Sequence, residues 1–127
     1  MCDLKHAFEA INIYQIQYSQ VDKLWGYFSV VTLAMCGFAI GGKIPSSSTH
    51  VEAIAIVLAY LVFCIGNHQA LVAGQKQLEQ FAAIARSCAL KVELEVSSIT
   101  PIPHDKVKKF HLSVIIAVSL GVLVITL

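Results

Sequence analysis

The sequence predicts an all-α integral membrane protein: three transmembrane helices, the first two forming a long antiparallel hairpin that extends into the cytoplasm. Three observations predict it. Hydrophobic residues make up 57% of the 127 and charged residues only 13%, about half the charge of a soluble globular domain. Three apolar runs contain no Asp, Glu, Lys or Arg. A helical spacing of apolar residues then continues beyond two of those runs, on the same side of the proposed bilayer.

The runs place the spans at 24–42, 53–73 and 106–127, the last entering through Lys106, Lys108 and Lys109 and becoming apolar at Phe110. Each apolar run holds about 18–21 residues, close to the ~20 that a helix needs to cross a hydrocarbon core of ~30 Å. Backbone groups in lipid must pair within their own segment, so the runs are predicted as helices. Buried core helices of a soluble protein are the alternative. Three such runs leave a chain of this length too little polar sequence to cover them.

Lys and Arg set the direction. Of nine, Lys43 alone lies in the loop 43–52 between the first two spans. Lys5 and Lys23 precede the first span, and Lys76, Arg86, Lys91, Lys106, Lys108 and Lys109 fall between the second span and the start of the third. The expected location is a bacterial inner (cytoplasmic) membrane, with the N-terminus in the cytoplasm and the C-terminus outside. Trp25 and Tyr27 stand at the cytoplasmic interface, where amphipathic rings favour the headgroup layer. No charged patch, apolar core and small-residue cleavage site follow Met1 in order, so no cleavable signal peptide is expected.

The extensions are read from a heptad seam. Leu4, Ala7, Ile11, Tyr14, Tyr18, Val21, Trp25 and Phe28 recur at steps of three and four, as do Leu71, Gly74, Leu78, Phe81, Ala85, Cys88 and Val92. Residues 1–23 and 74–96 are therefore predicted as cytoplasmic helical extensions of the first two spans. Phe8, Ile13 and Ile16 widen the apolar stripe of the first. Leu90–Val96 alternates apolar and charged residues, which also suits a strand. A lone strand would have no partner within the chain, and the seam through Val92 favours helix. Pro101 and Pro103 break the segment 97–105, with Asp105 expected as the N-cap of the third helix.

Small residues recur at four-residue steps in every span: Gly37 and Gly41, then Gly66, Ala70 and Gly74, then Ser113, Ala117 and Gly121. Such steps let helices approach closely in lipid, where van der Waals contact drives association. They serve packing within the chain or self-association into a homo-oligomer. Asn67, His68 and Gln69 form the one polar cluster inside an apolar run. Level with Trp25 in the antiparallel register, they are expected to reach water and headgroups at the interface. An inter-helix hydrogen-bond clamp and a proton or ion relay are the alternatives.

Several classes are excluded or disfavoured. The net charge of +1 gives no pull toward nucleic acid. The apolar runs hold no carboxylate, Lys or Arg of the kind that couples transport. There is no phosphate loop, no carboxylate pair and no nucleophile–base spacing, so no enzyme activity and no cofactor are expected. Cys2, Cys36, Cys64 and Cys88 match no zinc or disulfide spacing, and free thiols are expected. Cys2 and His6 would approach Arg86–Cys88 in the assumed register, yet without a fourth ligand no metal site is expected. The leading expectation is a small non-enzymatic membrane protein that self-associates as a pore-forming or membrane-perturbing effector. Ser29, Thr32, Cys36 and Ser113 are its thin polar candidates. The alternative is an accessory or scaffold subunit whose cytoplasmic hairpin docks a protein partner.

Overall fold

The computed structural model describes residues 2–41, 49–94 and 99–126. Among these it contains three helices and no strand: α1 (Leu4–Ile40), α2 (Thr49–Lys91) and α3 (His104–Thr126). Each is long and apolar enough to cross a membrane.

Helix α1 starts where the sequence supplies a cap. Asp3 is extended, and its carboxylate accepts the His6 backbone N–H at 2.8 Å and faces His6 Nδ1 at 2.7 Å. The amide bond, reinforced by the ring, holds the Asp3 carboxyl below its ordinary range. The cap's contribution is therefore present above the ordinary Asp range and is lost as pH falls through the lowered value. Buried residues on α1 fall at Ala7, Val21, Phe28 and Met35, multiples of seven apart, with Tyr14 half-buried in the same row and Ala39 buried one turn beyond it. On α2 the buried row runs Ala53, Val57, Tyr60, Cys64, Asn67, Leu71, Gln75, Leu78, Ala82 and Ala85. Its steps of three and four keep one face inward over the whole helix.

These two rows meet in opposite chain directions. Cys2 joins Cys88, Gln17 Nε2 donates to Gly74 O at 3.1 Å, Asn67 Nδ2 donates to Leu24 O at 3.2 Å, and Thr32 shares a hydrogen bond with Tyr60 at 2.9 Å. As one partner ascends the chain the other descends by a matching amount. At Gly74 side chains of α1 press directly on the α2 backbone. A Cβ there would stand 3.2 Å from Val21 Cγ2 and 3.6 Å from Gln17 Nε2.

Helix α3 covers only one half of this pair. His111, Ile115, Ser119 and Val122 point inward. Ile115 and Val122 join Phe28, Met35, Ala39, Val57, Tyr60 and Cys64 in the main core. Val107 closes a smaller one with Val21 and Leu71. Beyond it the molecule is a two-helix layer, over which Ile99 lies against Ala82 and Ala85.

Three local expectations change. The helix predicted to 96 stops at Lys91. Leu94 N–H reaches back to Ala89 O at 2.9 Å and Glu93 N–H to Leu90 O at 3.2 Å, a Schellman turn with Glu93 at φ 60°. Residues 95–98, the rest of the helix-or-strand segment, lie outside the described residues, as does most of the predicted outer loop. Glu93 holds a left-handed conformation that costs a side-chain-bearing residue about 1 kcal/mol. Glu93→Gly is accordingly expected to raise the thermal midpoint in detergent by an amount equivalent to about 1 kcal/mol.

The second change is at α3, which begins at His104, so Asp105 sits inside its first turn rather than capping it. The cap comes from another helix: the Glu79 carboxylate accepts the His104 backbone N–H and pairs with His104 Nδ1 at 3.0 Å. The third concerns the thiols. Cys36 and Cys64 are free as expected, whereas Cys2 and Cys88 form a disulfide with a Cα–Cα distance of 5.3 Å.

Candidate functional site

The three-helix half carries polar groups in its interior, two of them from consecutive residues of α2. Neighbours on a helix point about 100° apart, which divides the cluster Asn67, His68 and Gln69 three ways. Asn67 faces α1, His68 faces α3 and Gln69 faces outward. Asn67 is 7% exposed. Its depth, level with Leu24, is the one the sequence implied. Its surroundings are not, because it serves as an inter-helix clamp.

His68 meets His111 on α3. The rings stack at 5.0 Å and 11°, with Nδ1 to Nδ1 at 2.7 Å. One Nδ1 must donate and the other accept, so the contact holds one proton and is lost if both rings are charged. His111 is wholly buried, with Phe28 at 4.2 Å and Trp25 at 5.4 Å between ring centroids. Above this pair Gln75, itself buried, donates to Ile102 O at 2.6 Å. Below it lie the Thr32–Tyr60 bond and Ser119.

Asn67 Oδ1, His111 Nε2 and Ser119 Oγ are buried with no hydrogen-bond partner in the protein. An unpaired buried polar atom costs roughly 1–3 kcal/mol. An apolar core of the same shape would be more stable, so these residues specify how the helices meet rather than how tightly. The two imidazoles are too few to hold a metal, and no group of three or more His, Cys, Asp or Glu converges among the described residues.

The small residues separate into inward and outward sets. Gly74 packs against α1. Gly37, Gly66, Ala70 and Ala117 are exposed, and a Cβ at Gly37 or Gly66 would meet nothing within 4 Å. Ser113 is also exposed, its hydroxyl donating to Lys109 O at 2.7 Å. Gly121 is half-buried beside a groove between α1 and α3 that Cys36 and Ala39 also line. Gly41 ends α1, its N–H donating to Gly37 O at 2.8 Å.

A stripe that the four-residue rule missed completes the outward set. Ala55, Ala59, Gly66, Ala70 and Ala73 are all exposed and share one face of α2. They cover about 27 Å along the helix axis, close to the hydrocarbon thickness.

The sequence matches no protein-family model, no curated protein and no solved structure.

Proposed function

We propose that this chain is a self-associating, non-enzymatic integral membrane protein whose copies meet through the outward face of α2. In this reading residues 24–42, 53–73 and 106–127 lie in lipid. The hairpin of α1 and α2 projects its two-helix end into the cytoplasm, and the assembly forms a pore or perturbs the bilayer. The observation that carries it is the exposed stripe Ala55, Ala59, Gly66, Ala70 and Ala73. Val62, 72% exposed, lies within this row, and α1 and α3 expose Val30, Leu33 and Val124 to a similar degree. Lipid suits such a surface and water does not. Within it, a strip of small side chains offers a second helix backbone contact that lipid chains fill poorly.

The test is the native mass of the protein in a mild detergent, followed by dye leakage from vesicles. Wild type is expected to run as an oligomer, and Gly66→Leu and Ala59→Leu as monomers with unchanged helix content. Gly74→Leu should disturb the chain's own packing instead, by about 1–3 kcal/mol. An oligomer that survives both outward substitutions contradicts the proposal.

A second reading has its own support. The two-helix end exposes Phe8, Ile13, Ile16, Ile84 and Leu90, an apolar surface that a protein partner would cover. A scaffold of this kind would leave vesicles sealed and would co-purify with one stoichiometric neighbour.

A further inference from the structure

Where α1 passes the start of α3, the two walls of a crevice carry the same order of chemistry with opposite charge. Its volume is about 660 Å³. At the membrane end Trp25 and Phe110 meet with ring centroids 6.0 Å apart. One turn further out, Asp22 stands on the α1 wall and Lys106 on the α3 wall. Beyond them Tyr14 and Tyr18 continue the α1 wall. Asp22 and Lys106 are both exposed, and among the described residues no ion pair or hydrogen bond engages either side chain.

We propose that this crevice seats the headgroup of an amine-bearing phospholipid, its phosphate on Lys106 and its ammonium on Asp22 beside the tyrosine rings. The assignment rests on the membrane reading above. In that reading Trp25 lies at the interface, and the pair of charges falls in the headgroup layer. A zwitterionic headgroup matches two opposite charges on facing walls, and an aromatic wall favours its cationic end. Phosphate takes a lysine ammonium as a point charge. Phe110, 62% exposed, offers its outer side to the acyl chains. An anionic lipid without an amine satisfies Lys106 and leaves Asp22 facing a like charge.

Trp25 is the chain's single tryptophan and lines the crevice, so it reports occupancy directly. The full chain is placed in phosphatidylglycerol vesicles containing a minor fraction of acyl-brominated lipid, either phosphatidylethanolamine or phosphatidylglycerol. The brominated amine lipid is expected to quench Trp25 at roughly threefold lower mole fraction, the discrimination of one or two partly exposed ion pairs. Asp22→Asn should abolish that preference while leaving ordinary contact quenching in place, whereas Lys106→Gln, which removes a contact that both phosphates share, should leave the preference standing. Equal quenching by the two lipids, or a preference for phosphatidylglycerol, overturns the headgroup site and leaves the membrane reading standing. No quenching by either lipid, with the chain recovered from the aqueous fraction, overturns both.

Discussion

Replacing His111 with alanine is expected to lower the thermal stability of the detergent-solubilised protein by about 3 kcal/mol. The ring is fully buried and touches Trp25, Phe28 and His68. Its removal leaves a cavity where α3 docks, and none of these aromatic neighbours fills it without leaving its own contacts. His68 also loses its partner, although its partial exposure lets it turn toward water. His111→Gln keeps most of the volume and a polar head and should cost about half as much. Thermal unfolding monitored by helix content reads both. Equal and negligible losses would mean that α3 is held by its apolar contacts alone.

The second large effect concerns Cys2 and Cys88. Their bond closes a loop spanning 86 positions. Chain-entropy arguments assign a loop of that size roughly 4–5 kcal/mol for a soluble chain. A bilayer already confines the spans of the unfolded state, so the expected loss for Cys88→Ser is smaller, about 2 kcal/mol. Wild type in excess reductant should melt with the variant. If the two differ by the full effect, Cys88 acts through packing and the disulfide contributes nothing.

This bond also stands against the orientation read from Lys and Arg. The basic residues assign the Cys2–Cys88 end to the cytoplasm, a compartment that keeps thiols reduced. In the proposed orientation the pair is reduced at rest and closes under oxidant. Alkylation of intact cells before lysis is expected to label both thiols, and treatment with an oxidised low-molecular-weight disulfide to protect them. Protection without treatment would favour the opposite orientation.

The helices were legible because burial in a helix repeats. The steps of three and four that begin at Leu4 and Leu71 named most of the seam, and the register they implied brought Cys2 to Cys88. The pairing itself was not legible, since nothing in the spacing of two cysteines so far apart separates a bond from two thiols. The α3 cap was missed for a similar reason. Asp105 has the local chemistry of a cap, but Glu79 reaches His104 from another helix, and only the fold brings them together. Asn67, His68 and Gln69 were read as one group at one depth. Depth follows from sequence position, whereas direction follows from helical phase, and phase sent one residue to each neighbour and one outward.

Phase also explains Gly66, Ala70 and Gly74. A four-residue step advances about 40° beyond a full turn. Over two steps the row therefore drifts from the outer face toward the α1 seam, and Gly74 ends against Val21. Steps of four and seven, from Ala55 through Ala59 and Gly66 to Ala73, stay on the outer face. The internal polar contacts of Asn67 and His68 fix the rotation of α2 that presents it.

The central claim is that three helices cross lipid, and an odd number of crossings puts the chain's two ends on opposite sides. One accessibility measurement in intact cells decides this, with a small tag at either end and a membrane-impermeant reagent. Reaction of the C-terminal tag alone is the predicted result. Reaction of both tags or of neither, or release of the protein from membranes by an alkaline wash, would contradict the account.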